Sequence, residues 1–302
     1  MSNQKPPKKF GLLRKWLHRY REAEKQRNYA KQGKKLGFFN RKIRKVLLYP
    51  DKPSYWNAIR AMLNVMNYQI TYDINDDFHF AIYWHDTTFK EADEQIRSIA
   101  KEKLVLNMNS TDISKFRVDK LMQEVFGYCT VIDPLTFQGK CVKKSDANSA
   151  HDGQIIECPI EKIEEGYIYQ IAIDTQVDER LVEDIRVIFV KDHIPFVYVK
   201  YKLIENKFLS KTVSATTLAP RYVFSDEEIT KIITVCQKMC LDFAELDVLR
   251  DRVNGKIYIV DINDTPGGFP KKKGGRELFS MKERLHLLSK LALAFQKSFS
   301  IN

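Results

Sequence analysis

Polar and apolar side chains alternate with a period of two on either side of Val253-Asn254-Gly255, through 241–252 and again through 256–263. That is the pattern of a β-hairpin with one dry face. A three-residue connection wants glycine at its left-handed last position, which Gly255 supplies. Arg252 then faces Lys256, and the pairing runs outward to Asp247 opposite Asp261 and Glu245 opposite Asn263. Directly opposed residues share a face of the ladder. Glu245, Asp247, Asp261 and Asn263 therefore line one side, while Leu246, Val248, Val260 and Ile262 line the other. A two-residue Asn254-Gly255 turn would split the two aspartates between faces and leave neither face dry, so the three-residue register is preferred.

The same reading of the remaining chain predicts a mixed α+β protein. Phe10, Leu13, Leu17 and Tyr20 recur at helical spacing, widened by Leu12 and Trp16. Segments 46–49, 69–72, 78–84 and 104–106 read as strands. Helices over 54–66, capped by Ser54, and over 90–101 fall between them, which makes a small α/β unit. His85-Asp86 at a strand end reads as structural. A helix capped by Asp112 or Ser114 runs to about Val125 and stops at Gly127. Strands follow at 140–144, 153–157, 167–173, 185–190 and 195–201. Ser225 caps a helix reaching Cys240, and 277–297 closes the chain as an amphipathic helix.

With 302 residues, 44% of them hydrophobic, the chain suffices for one large domain or a few small ones packed together. No apolar run approaches a membrane span. Residues 1–9 are polar and basic, without the apolar core of a secretion signal, so a cytoplasmic location is expected. The net charge of +11 is uneven. Residues 1–46 hold sixteen Lys or Arg against Glu22 and Glu24, while the remaining 34 basic and 37 acidic residues nearly cancel. A basic helix with an aromatic and leucine stripe suits an anionic membrane surface, here through residues 9–45 and peripheral to the inner face. A partner surface would suit it too, and a stripe packed on the body ranks second. A nucleic-acid contact ranks last, because no nucleic-acid motif accompanies the charge. Cys129, Cys141, Cys158, Cys236 and Cys240 are odd in number and lack CxxC spacing, so buried free thiols are expected rather than a zinc site or a disulfide framework.

Three carboxylates and an amide on one hairpin face repel each other unless a cation sits among them. Oxygen ligands without His or Cys suit magnesium, or manganese as the alternative, usually shared with a nucleotide's phosphates. The succession Asp261-Ile262-Asn263 and Thr265-Pro266-Gly267-Gly268 favours that reading over a solvated acidic face. Four further motifs precede the hairpin. They are Ser114-Lys115 with Phe126-Gly127-Tyr128, Cys141-Val142-Lys143-Lys144-Ser145, Tyr169-Gln170-Ile171-Ala172-Ile173-Asp174, and Asp184-Ile185-Arg186-Val187. In this order they resemble the ATP-grasp superfamily over about 104–270. The likeness is greatest to a bacterial branch with Asp-Ile-Ser-Lys, a Lys-Ser…Asn…His-Asp-Gly loop and Glu-x-Asp-Val-Leu-Arg-Asp, a branch associated with cell-surface glycan synthesis. Here the loop is Lys144-Ser145 through Asn148 to His151-Asp152-Gly153.

The resemblance implies an ATP-grasp fold, two α+β subdomains at 108–175 and 176–302 clasping ATP. A small α/β domain at 45–107 and the arm at 1–44 would precede them. It implies that Lys115 and Lys144 hold the α- and β-phosphates, and that the loop from Ser145, with His151, closes over the triphosphate or meets substrate. Gln170, Ile171 and Ile173 would offer backbone to the adenine edge. Arg186, assisted by Lys200, would steady the γ-phosphate, and Asp247, Asp261 and Asn263 would bind one or two Mg2+ ions. Departures from the family are a loop with Gly153 as its one glycine, Gln170 where Glu is frequent, and Lys202 in place of an Arg. From the residues alone, Lys143 competes with Lys144 for the inward position, and Asp184 or Asp174 competes for Arg186. Lys271-Lys272-Lys273-Gly274-Gly275 meets either an anionic substrate or solvent. The expected activity is Mg-dependent ligation, in which a small-molecule or glycan-linked carboxylate is activated as an acyl phosphate and attacked by an amine. The alternatives are phosphoryl transfer to a hydroxyl and a membrane-attached nucleotide-binding scaffold.

Overall fold

The structure, a computed structural model, describes residues 8–40, 42–147, 152–209, 211–272 and 275–301, the side chains of 8–19 and 40 excepted. After helix α1 (Lys8–Lys35), strands and helices alternate as β1 (Arg44–Pro50), α2 (Ala58–Val65), β2 (Tyr68–Thr71), β3 (Phe80–Trp84), α3 (Glu94–Ile99) and β4 (Val105–Leu106). Val46, Leu47 and Leu48 are buried in succession, as is all of β3. Such runs suit a parallel sheet covered on both faces, and the four strands pair in parallel in the order β2-β1-β3-β4.

Two helix predictions in this unit need correction. Helix α2 begins at Ala58 with Asn57, not Ser54, at its N-cap, and the Asn57 side chain makes no capping bond. It donates instead to Pro266 O at 2.7 Å. Helix α3 begins at Glu94, where Asp93 accepts from Ile96 N. The four residues before it are held otherwise: Lys90 N donates to Thr111 O and the Lys90 side chain ion-pairs with Asp264. Tertiary pairing outweighs helical propensity there.

Helix α4 (Lys115–Phe126) starts where Ser114 Oγ accepts from Arg117 N and ends on Gly127 in the left-handed conformation, φ +82°. Of the two caps expected, Ser114 holds the position. Strands β5 (Gly139–Ser145), β6 (Gln154–Cys158) and β7 (Tyr167–Ile171) then form an antiparallel sheet ordered β6-β5-β7. The last sheet contains β8 (Leu181–Val190), β9 (Val197–Leu203), β10 (Ser214–Leu218), β11 (Phe243–Arg250) and β12 (Ile257–Asn263). Helix α5 (Asp226–Lys238) enters between β10 and β11, and α6 (Met281–Phe299) closes the chain. Ser225 and Glu228 form a reciprocal capping box on α5. The sheet order is β10-β9-β8-β11-β12, all antiparallel. Strand β10 was not predicted; its Ser-Ala-Thr-Thr-Leu sequence has little apolar alternation, and it forms by pairing with β9. Cys141, Cys158 and Cys236 are buried as expected, but Cys240 is exposed.

The five-stranded sheet positions the site. One face, with Val187, Phe189, Leu246 and Val248, packs on Leu121 and Met122 of α4 and on Ile232 and Val235 of α5. The opposite face is divided along its length. Ile188, Val190, Phe196 and Phe243 join Met62 of α2 and Leu288 and Phe295 of α6 in a second core. Farther along the same strands that face carries Asp184, Arg186, Lys200, Glu245 and Asp247.

Over its described side chains α1 packs on this body. Tyr29 is buried, Gln32 Nε2 donates to Ser289 Oγ of α6 at 2.7 Å, and a Cβ on Gly33 would stand 2.1 Å from Val65 O. Tyr20 of the predicted stripe is exposed. No described helix is long and apolar enough to cross a membrane.

Asn107 joins the first unit to the hairpin. Its side chain donates to Phe243 O at 2.7 Å and Asp264 O at 3.1 Å and accepts from the backbone N–H of Asp242 and Phe243. The residue has no exposure. Asn107→Ala strands these backbone groups in the interior and is expected to lower stability by about 3 kcal/mol, read as a shift in the urea midpoint.

Candidate active site

Asp247 stands opposite Asp261 and Glu245 opposite Asn263, as the alternation requires. The turn reaches that register by a different route from the one expected. Near the turn Arg250 pairs with Ile257 and Leu249 with Tyr258, and Asp251 N donates to Lys256 O at 2.9 Å. The loop is thus 252–255, and Arg252 does not face Lys256. This register continued outward would set Asp247 against Val260. A β-bulge between the pairs Val248–Ile259 and Asp247–Asp261 takes up Val260 as the extra residue and returns both aspartates to one face. Val260, expected on the dry face, is half-buried at the cleft, and its carbonyl accepts from Lys144 Nζ at 2.9 Å.

Cations from neighbouring strands meet this acidic face. Arg186 on β8 lies directly across from Asp247. It donates to both Asp247 oxygens, Nε to Oδ1 at 3.0 Å and Nη2 to Oδ2 at 3.2 Å, and from Nη1 to Glu245 Oε2 at 3.3 Å. Of the alternatives weighed for it, pairing with Asp184 or Asp174 is not the one formed. Lys200 Nζ bridges Asp184 Oδ2 at 3.0 Å and Asp247 Oδ1 at 3.2 Å, and Lys202 Nζ joins Asp184 at 2.7 Å. Burial alone would raise the Asp247 pKa, yet Arg186 and Lys200 hold it well below the usual carboxylate range. Burial does raise Asp261 and Glu245 above that range. Asp261 has Lys115 Nζ at 3.5 Å as its ion-pair partner.

Lys115 is the first residue of α4 and is buried. Besides Asp261, its ammonium reaches Ala147 O at 2.9 Å and Asp146 O at 3.3 Å, so it ties the loop after β5 to the hairpin. Alternation along β5 decides between the two neighbouring lysines. Lys144 points into the cleft, and burial pulls its pKa down to about 8. Lys143 points away, pairs with Glu164 and lies 4.4 Å from the Tyr167 ring centre. Ser145 N donates across the loop to Asp152 Oδ1 at 3.0 Å. His151 and Asn148 lie outside the described residues, as do Lys273 and Gly274.

Strand β7 ends at Ile171 rather than Ile173. Its Gln170 side chain is buried and donates to Thr130 Oγ1 at 2.6 Å, and Ile171 N donates to Thr130 O at 2.8 Å. Gln170, Ile171 and Ile173 all border the cleft. With the Ile171 N–H committed, the backbone at Ile173 is the better placed of these to meet a ligand edge.

Lys115, Lys144, Arg186, Lys200, Asp247, Asp261 and Asn263 all line a single cleft of about 1230 Å³ between the two antiparallel sheets and the 51–57 segment. A cavity at the large end of ligand sites, walled by phosphate-sized cations and hard oxygens, suits a nucleotide.

The chain superposes on solved ATP-grasp ligases. With PsnB in complex with a minimal precursor it shares 12% identity at a TM-score of 0.55, over 86% of this chain and 100% of that one. With the VanG D-Ala:D-Ser ligase from Enterococcus faecalis it shares 12% identity at a TM-score of 0.51, over 83% and 100%. The fold is ATP-grasp. A PsnB complex with a phosphomimetic precursor variant, Mg and ADP aligns over 65% of this chain and 64% of that one, at 16% identity and a TM-score of 0.44. No protein-family model and no curated protein matches the sequence.

The cleft has a donor set that fits a hard divalent cation. Asp247, Asp261 and Asn263 supply oxygen alone, from two adjacent strands. Asn263 Oδ1 accepts from Thr265 N at 2.8 Å and lies 3.0 Å from Thr265 Oγ1, which is also 3.0 Å from Asp86 Oδ1. One hydroxyl proton serves one acceptor at a time, so when it turns to Asp86 an Asn263 lone pair remains for a cation. Sequence reading left several residues of this cleft without the partners they have. Asp184 and Lys202 flank Lys200, Glu245 shares Arg186, and Asp86 and Asn57 hold the loop after the hairpin. Asp184 had a signal, since it lies two residues before Arg186 and so on the same strand face. Asn57 and Asp86, about 180 to 210 residues from their partners, had none.

Proposed function

We propose that the protein is an Mg-dependent ATP-grasp ligase that activates a carboxylate as its acyl phosphate and joins it to an amine. The observation that carries this reading is the convergence of Lys144, Arg186, Lys200, Asp247, Asp261 and Asn263 on one cleft, together with a fold shared with proteins named as ligases. Lys115 and Lys144 hold the α- and β-phosphates of ATP as point charges. Arg186 and Lys200, already fixed by Asp247, Glu245 and Asp184, face the γ-phosphate. Their charges need no rearrangement as the phosphoryl group moves to the substrate carboxylate, the preorganised stabilisation that phosphoryl transfer requires. Asp247, Asp261 and Asn263 would hold Mg2+, which when bound neutralises the phosphate oxygens and orients them. Backbone at Ile173, with Gln170 and Ile171 behind it, borders the base. Within this class, the resemblance to the glycan-associated branch points to a glycan-linked carboxylate as substrate.

The test is ADP production across a matrix of carboxylates and amines. Release that requires both, with an amide product of matching mass, is expected. Stable phosphate transfer to a hydroxyl would replace the ligase with a kinase, and tight Mg-ATP binding without turnover would leave a scaffold.

Lys144 sets a pH dependence. Phosphate binding needs its ammonium, and burial places the pKa of the free protein at about 8. Affinity for Mg-ATP is therefore expected to be flat below pH 8 and to fall by up to about tenfold per unit above it, with a proton taken up on binding. Calorimetry in buffers of different ionisation enthalpy reads both effects, and Lys144→Met should remove them.

A further inference from the structure

A second cavity, about 450 Å³, lies between α1, α2 and the loop after the hairpin. Tyr55, Trp56, Phe269 and Lys271 border both it and the ATP-grasp cleft. We infer that this cavity binds a sugar ring carrying an acidic group, as a subsite for the part of the substrate remote from its reacting carboxylate. The subsite role rests on the ligase reading; the binding does not.

The charge balance calls for an anion. Both acids that line the cavity are already matched, Glu22 by Lys25 at 2.8 Å and Glu277 by Arg284 at 3.0 Å. Arg60 and Lys271 form no ion pair among the described residues. Arg60 donates to neutral oxygens, Pro53 O and Tyr72 OH, and Lys271 stands 5.8 Å from the Trp56 ring centre. Arg284 is 8% exposed, and its Nε has no hydrogen-bond partner among the described residues.

The remaining lining selects a ring with hydroxyls. Tyr55 and Trp56 are 66% and 49% exposed and meet edge to face, with centres 4.7 Å apart. The backbone at Trp56 and Ala58 packs closely on the loop after the hairpin: Ala58 N donates to Gly267 O at 3.1 Å, and a Cβ on Gly268 would lie 2.3 Å from Trp56 O. Adjacent exposed aromatic faces mark a surface that a ligand covers, and the C–H face of a sugar matches them in polarity. Asn64 and Gln69 add carboxamides, each both donor and acceptor, which suit vicinal hydroxyls. The volume admits one or two rings.

The probe is trigalacturonate, titrated calorimetrically into the full chain with and without Mg-AMPPNP. Saturable binding is expected in both conditions. Affinity should fall about tenfold in Arg60→Gln, in Lys271→Gln and for the methyl-esterified trimer, with melting temperatures preserved in both variants and nucleotide binding preserved in Arg60→Gln. Trp56→Ala should weaken binding without changing its charge dependence. Absence of saturable binding, equal affinity for the ester or for triglutamate, or indifference to both cation substitutions would overturn the inference. Failure of the ligase reading would show separately, as no ADP release with any substrate pair while trigalacturonate still binds.

Discussion

Asp247→Asn is expected to lower ADP release by about 10³-fold. Asp247 is the carboxylate on which the site's charges meet: its Oδ1 takes Arg186 Nε and Lys200 Nζ, and its Oδ2 takes Arg186 Nη2. An amide in either orientation points its NH2 at one of these cations. The substitution therefore removes a charge from the proposed metal set and also turns Arg186 or Lys200 out of line with the phosphate. A stability loss of about 1–3 kcal/mol should accompany it, because Arg186 then has only Glu245 and Lys200 only Asp184 as anionic partner. Turnover and circular dichroism melting, measured on the same preparation below the variant's transition, separate the two effects. A folded Asp247→Asn protein retaining more than about a tenth of wild-type turnover would remove Asp247 from the chemistry.

Lys90→Met is expected to cost about 3–5 kcal/mol in stability. Lys90 and Asp264 form an ion pair in which neither side chain has any exposure, and Asp264 Oδ1 has no partner among the described residues. Burial already raises the Asp264 pKa, with Lys90 acting against it. Without the ammonium that pKa rises further, so the variant's carboxyl stays protonated over a wider range. A carboxyl whose folded pKa lies above its unfolded one favours folding at low pH and opposes it as pH rises through the folded value. The deficit of Lys90→Met should accordingly shrink as pH is lowered from neutral. The double variant Lys90→Met/Asp264→Leu should recover most of the loss, since an apolar pair leaves no charge unmatched. Urea unfolding of the four proteins across pH gives the coupling directly. Equal destabilisation at all pH values would place the cost in packing rather than charge.

The two aspartates illustrate how a correct pairing was legible for an incomplete reason. Period-two alternation identified the acidic face, because one side of the hairpin packs on α4 and α5 and must be dry. The loop length inferred from Gly255 was wrong, and the bulge at Val260 makes up the difference. The demand for burial is spread over many residues and survives a local error; the turn rests on a few. Caps at Ser114 and Ser225 were legible for a similar reason, since their hydrogen bonds close within three residues. Lys90 was read as the start of a helix because its partner, Asp264, is 174 residues away.

The chain's own order of residues determined most of its strands, the dry and charged faces of the hairpin, and the residue types that line the cleft. These follow from local hydrogen bonding and from periodicity, which are properties of neighbours along the chain. Tertiary structure alone decided which cation serves which carboxylate: Arg186 across from Asp247, Lys200 shared with Asp184, Lys144 turned inward and Lys143 outward. It alone brought α1 onto the body to enclose a second cavity beside the cleft. Such choices depend on strand register, bulges and the meeting of distant loops, where Coulomb energy acts through space and the intervening sequence carries no record of it.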